Sequence, residues 1–92
     1  MKYSFKPSYV RSIKKLDSVR AEKVQNAFEQ LLHLFETWEK KPGLGLKQLR
    51  FNLWEVRAGL LDRIIFRREK DTVEFIITGT HDEIKRYLRN EE

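Results

Sequence analysis

The chain has 92 residues, 36% of them charged and 40% apolar, with 19 Lys and Arg against 14 Asp and Glu for a net charge of +5. That length carries one domain with one small core, and the basic surplus favours nucleic acid, an acidic protein or an anionic membrane surface as partner. The absence of cysteine excludes disulfide scaffolds, thiolate zinc sites and thiol catalysis, apolar runs as short as Ile64-Ile65-Phe66 cannot span a bilayer, and MKYSFKPSY carries no secretory signal, so a soluble, cytoplasmic domain is expected.

Lys2 to Phe5 alternates weakly and reads as a short strand. Pro7 suits a first helical turn, and Val10, Ile13 and Leu16 follow at spacing three. Asp17-Ser18 offers a cap and a tight turn. A second, stronger helix comes next, in which Val24, Ala27, Phe28, Leu31, Leu34, Phe35 and Trp38 recur at threes and fours. Its other face carries Glu22, Lys23, Gln25, Glu29 and Glu36, so it is amphipathic and packs against something flat. Pro42-Gly43 and Gly45 end this helical hairpin.

Alternation then dominates, with strands expected over residues 52–58, 61–68 and 72–80. A two-residue turn at Lys70-Asp71 pairs Phe66 with Phe75, Ile64 with Ile77 and Arg67 with Glu74. Slipping by one sets Phe66 opposite Glu74 and mixes the faces. A loop centred on Leu60 pairs Arg57 with Arg63 and Val56 with Ile64. One face then holds Trp54, Val56, Ile64, Phe66, Phe75 and Ile77, and the long helix is its cover. Thr80-His81-Asp82-Glu83 fits a capping box, followed by the apolar stripe Ile84, Tyr87 and Leu88 of a short terminal helix. The expected order is β-α-α-β-β-β-α. The fold class is α+β: an N-terminal strand and helical hairpin packed on an antiparallel sheet, closed by a short C-terminal helix, as one domain over residues 1–92.

The opposite sheet face carries Glu55, Arg57, Arg63, Ile65, Arg67, Glu74 and Thr78. Arg57 facing Arg63 costs stability unless water screens the pair, Glu55 neutralises it, or an anion binds. Two guanidinium forks match phosphate oxygens; a solvated charged face is the plain alternative. His81, at the end of the last strand beside that row, is a candidate general acid or base, or a surface residue in a first helical turn. Tyr87 offers a hydroxyl or a ring that stacks on a base, or plain packing. His33 sits among Leu31, Leu32, Leu34 and Phe35 as a boundary residue, and two histidines so far apart without an acid cluster make no metal site. Trp38 and Trp54 fall on apolar stripes. Gly43-Leu44-Gly45 lacks the context of a phosphate loop, and Arg67-Arg68-Glu69-Lys70-Asp71 reads as a hairpin tip whose basic part can touch RNA backbone. No cofactor and no metal is expected.

From Leu46 to Leu88 the run LKQLRFNLWEVRAGLLDRIIFRREKDTVEFIITGTHDEIKRYL resembles the RelE/ParE superfamily of small toxins from toxin–antitoxin pairs, and its RelE branch more closely. The shared features are Leu49-Arg50, LWEVR, the R-hydrophobic-hydrophobic-F strand at residues 63–66, a further hydrophobic strand, GTHDEIKRYL and the preceding helical hairpin. The resemblance implies a microbial-RNase-like α+β fold, metal-independent cleavage of messenger RNA in the ribosomal A site, and a cognate acidic antitoxin. It implies that Arg63 holds the scissile phosphate, with Arg57 and Arg50 as further basic positions. His81 falls where the family puts a basic residue after the last strand, and Tyr87 matches a tyrosine that stacks on RNA or assists proton transfer. Glu55 departs from the lysine of RelE-like members and becomes a candidate base. Lys47, Arg50 and Arg67 are the candidate substrate contacts. Three functions stay open: a ribosome-dependent mRNA endonuclease, a ParE-like inhibitor of DNA gyrase, and an inactive homologue that binds antitoxin or nucleic acid. The sequence does not give an oligomeric state.

Overall fold

Turns of two and three residues set the registers of the second half of the chain. The computed structural model describes residues 1–37 and 44–91. In chain order these form β1 (Lys2–Phe5), α1 (Pro7–Lys14), α2 (Ser18–Thr37), β2 (Leu46–Arg50), β3 (Leu53–Ala58), β4 (Asp62–Glu69), β5 (Thr72–Thr80) and α3 (His81–Glu91). The sheet order is β1-β5-β4-β3-β2. Trp38, expected in the core, and the break expected at Pro42-Gly43 lie outside the described residues. Among the described residues no helix is long and apolar enough to cross a membrane.

The helical hairpin forms where its caps require. Pro7 opens α1, and the Asp17 carboxylate accepts the Arg20 backbone N–H at 2.9 Å to cap α2. Val24, Ala27, Leu31 and Phe35 form the buried stripe of α2. It packs on Val56, Ile64, Phe66, Val73 and Phe75, with Trp54 and Phe28 partly buried at the margin. Phe75 is the hub: the rings of Phe28, Phe5 and Tyr9 lie 5.0, 5.2 and 5.6 Å from it. In α1 the buried residue is Tyr9, while Val10 of the expected stripe is 43% exposed, because the helix turns its Tyr9 face toward Phe75.

Four features depart from the expectation. The segment Leu46–Arg50 is a strand, β2, added at the outer edge of β3 with a register shift between Gln48 and Arg50. The sheet is mixed, because β1 joins β5 in parallel. The β4–β5 ladder shifts between Ile65 and Phe66, so Phe66 pairs with Phe75 and Arg67 with Glu74 as expected, but Ile65 pairs with Ile77 and Ile64 with Thr78. This bulge removes Ile77 from the face of Ile64 and turns Thr78 inward, where it is 2% exposed and its hydroxyl donates to the Arg63 carbonyl at 2.8 Å. Finally, the opposite face has a core of its own. Leu53, Ile65, Ile76 and Ile84 are buried there, with Leu49, Ile77, Tyr87 and Leu88 packed around them, so α3 covers the middle of that face. Apolar cover on both sides is why an extra residue at Ile76 is tolerated: a side chain moved from one face to the other still leaves water.

β1 ends at Phe5, leaving β5 beyond Phe75 without a strand neighbour on that side. Helix α1 takes the vacant place with side-chain hydroxyls. Ser8 Oγ donates to the Ile76 carbonyl at 2.6 Å, and Ser12 Oγ accepts the Thr78 N–H at 3.0 Å. Residues four apart share a helix face, so one turn of helix reaches one stretch of extended chain and satisfies its backbone groups.

Candidate functional site

The loop between Ala58 and Asp62 brings Arg57 directly opposite Arg63 and Glu55 opposite Ile65. Strand alternation sends Val56, Ala58 and Ile64 into the helix-covered core, so Glu55, Arg57 and Arg63 leave the sheet on the other face. Arg63 Nε lies 3.4 Å from Glu55 Oε2, with the two side chains 22% and 17% exposed. Arg57 is exposed, and among the described residues it has no ion-pair partner. Lys47 pairs with Glu55 from the β2 side and is exposed. Three cations therefore flank one carboxylate. The like-charge pair is only partly neutralised, which is the electrostatic condition an anion relieves.

Arg63 has Gly79 as its neighbour on β5. A Cβ at Gly79 would stand 2.9 Å from Glu83 Oε1, so this glycine makes room for the capping box at the start of α3. Thr80 N–H donates to Glu83 Oε1 at 2.9 Å, and Glu83 N–H to Thr80 Oγ1 at 3.3 Å. That backbone bond holds the Glu83 carboxyl below its ordinary range. His81 follows as the first, exposed residue of α3, two positions beyond the neighbour of Arg63.

The remaining candidates have neighbours of their own. Tyr87 sits on the apolar stripe of α3, and its hydroxyl is 3.3 Å from Ser8 Oγ. Because the Ser8 hydrogen is used on Ile76, the tyrosine is the donor. Tyr87 lines a groove of about 290 Å³ together with Ser12, Lys15, Arg20, Glu83 and Arg86. Arg67 projects from β4 four residues beyond Arg63, roughly 13 Å along the strand, where its Nε is 3.9 Å from Glu74 Oε1 and its Nη1 is 3.4 Å from Asn52 Oδ1. Arg50 is exposed beside Leu53 at the register shift of β2. Thr78, expected in the arginine row, belongs to the core face instead. Among the described residues no group of three His, Cys, Asp or Glu is arranged to hold a metal ion.

Sequence reasoning missed Arg20. Its Nε and Nη2 donate to Asp62 at 2.9 and 2.6 Å, and these hydrogen bonds raise the already high pKa of the guanidinium. Asp62 opens β4 next to Arg63 and is 1% exposed. The two partners lie 42 positions apart, and nothing local announces the contact.

No family model matches the sequence, and no curated protein matches it significantly. Solved structures do. A chain of the RelB-RelE antitoxin-toxin complex from Methanococcus jannaschii superposes with a TM-score of 0.71 at 17% identity, covering 92% of this chain and 98% of that one. This chain has the RelE-like toxin fold. YafQ from E. coli superposes at 0.68 with 14% identity, over 90% of this chain and 96% of its own. The YoeB/ParE toxin from Agrobacterium tumefaciens gives 0.63 at 20% identity, over 88% and 99%.

Proposed function

We propose that the chain is the toxin of a toxin–antitoxin pair and an endoribonuclease that inhibits translation by cutting messenger RNA on the ribosome. The observation that carries this reading is the pair Arg57–Arg63, fixed opposite one another on the face away from α1 and α2, with Glu55 bridged to Arg63. The RelE-like fold supports it.

In the proposed reaction Arg57 and Arg63 bind the non-bridging oxygens of the scissile phosphate, and Arg63 trades its contact with Glu55 for one with the phosphate. Glu55 so released takes the proton of the adjacent 2′-hydroxyl, whose oxygen attacks phosphorus. The 5′-oxygen of the next nucleotide leaves with a proton supplied by His81. The products are a 2′,3′-cyclic phosphate and a 5′-hydroxyl. The two guanidinium groups face the charge that develops on the phosphorane, where such contacts contribute most. Tyr87, its hydroxyl engaged with Ser8, serves as a ring for RNA to stack on rather than as a proton donor. Lys47, Arg50 and Arg67 contact the flanking backbone. In the cell the protein acts in the cytoplasm and is held inactive by an acidic antitoxin, as befits a +5 chain.

The test is single-turnover cleavage of a message on programmed ribosomes, with free RNA as a second substrate and a DNA gyrase supercoiling assay alongside. Cleavage ending in a cyclic phosphate is expected. Inhibition of gyrase without cleavage would assign the chain the ParE activity instead, since one fold serves several activities.

A further inference from the structure

The tip of the β3–β4 hairpin carries two neighbouring exposed leucines: Leu60 is 94% and Leu61 60% exposed. Beside them the first turn of α2 presents Val19, 64% exposed. The three line one groove of about 480 Å³, whose remaining wall includes Lys23 and Arg57. This surface is built. Gly59 takes a φ of +74°, and a Cβ there would stand 2.6 Å from Lys23 Cδ. The aliphatic stem of Lys23 therefore lies against the loop backbone and holds the leucines beside Val19. Just behind, Arg20 and the buried Asp62 tie the start of α2 to the start of β4.

Solitary exposed leucines need no explanation, but three aliphatic side chains sharing one groove with a cationic rim do. We infer that this groove is the docking site of an acidic protein segment that inserts aliphatic side chains between Val19, Leu60 and Leu61 and sets its carboxylates against Lys23 and Arg57. A second copy of the chain is disfavoured because it would bring its own surplus of +5 toward a cationic rim. RNA is disfavoured because the floor offers no ring on which a base could stack. The groove shares Arg57 with the proposed phosphate site, so its occupant covers half of the arginine pair. Docking and inhibition are then one event.

The identity of the partner as an antitoxin rests on the proposed function; the binding chemistry does not. The experiment therefore uses neither RNA nor ribosomes. The folded full-length chain is panned against a displayed library of random peptides, and enriched peptides are measured by fluorescence anisotropy. Enriched sequences should be acidic and contain paired aliphatic residues. Leu60→Ser with Leu61→Ser should weaken them by at least about tenfold, as expected for losing two buried leucine contacts. Lys23→Glu should weaken them further at low salt than at high salt. Circular dichroism of the variants confirms the fold, which surface positions so exposed leave intact. Enrichment of neutral or basic peptides, no enrichment at all, or binding indifferent to the leucine substitutions would overturn the inference. So would self-association of the wild-type chain in sedimentation that Leu60→Ser abolishes, since the groove would then be a self-interface. A chain that fails to cleave RNA yet binds as described would overturn the proposed reaction and leave the docking site standing.

Discussion

Arg20 grips Asp62 with two charge-assisted hydrogen bonds, joining the start of α2 to the start of β4. The acid is buried and the arginine a quarter exposed, so the cost of desolvation falls mainly on Asp62. Arg20→Ala should destabilise the fold by about 3–5 kcal/mol, because it leaves a buried carboxylate without its partner. Replacing both residues with apolar ones of similar volume, Arg20→Met with Asp62→Leu, should recover most of that loss. Urea unfolding followed by circular dichroism measures both, and equal destabilisation by the single and double variants would show that the pair itself, rather than the orphaned acid, matters.

Phe66 is 1% exposed and meets Phe35 edge-on at 5.7 Å. Phe66→Ala should cost about 3–5 kcal/mol, a large share of the stability of so small a domain. Phe51, 90% exposed at the turn between β2 and β3, is the control. Phe51→Ala should move the urea midpoint by the equivalent of about 0.5 kcal/mol or less.

Arg63 carries the heaviest load in the proposed reaction. Arg63→Ala should reduce single-turnover cleavage by roughly a hundredfold to a thousandfold, about 2.7–4 kcal/mol of transition-state stabilisation, with the far-ultraviolet spectrum unchanged. Arg63→Lys should restore only part, since a point charge does not reproduce a two-pronged contact. Glu55→Gln separates two roles for the acid. A base is lost with its proton affinity, and the rate falls. A mere counter-charge to Arg63 is not needed once phosphate is bound, and the rate holds.

Burial pushes the Tyr9 hydroxyl up from 10 to about 12. The folded protein thus keeps a proton that the unfolded chain releases earlier, and the stability tied to it is complete below pH 10. It is lost as pH rises from about 10 toward about 12. Urea midpoints measured across that interval should fall more steeply for the wild type than for Tyr9→Phe. Parallel slopes would mean that Tyr9 does not titrate late.

The parts of this fold that were legible in the sequence are those decided over short distances. Two residues at Lys70-Asp71 leave little freedom in how Phe66 and Arg67 meet Phe75 and Glu74, and the Gly59–Leu61 loop does the same for Arg57 and Arg63. The capping box at Thr80 and Glu83 is local by definition. What stayed hidden lacks a clear pattern of its own. Leu46–Arg50 pairs with β3 across a two-residue turn, but its two leucines stand three apart, so no alternation announces a strand. The displacement of Ile77 and Thr78 needs two apolar covers at once, of which only the helical hairpin was foreseen as a cover. Within the candidate site, the shared face of Arg57, Arg63 and Glu55 was legible because one ladder holds all three. The contact of the Tyr87 hydroxyl with Ser8 on α1 was not legible, because it joins residues 79 positions apart.

The two serines of α1 also bear on how this protein behaves in a crowd. A bare stretch of strand with unmet amide and carbonyl groups is a template on which another chain can polymerise. Between Ile76 and Thr78 that template is occupied by hydroxyls of the molecule's own helix, which no incoming strand can imitate without first peeling α1 away. The guard belongs to α1 and not to α3, because Ser8 and Ser12 lie on the first helix. A molecule built this way offers no foothold for fibre growth on this stretch of β5.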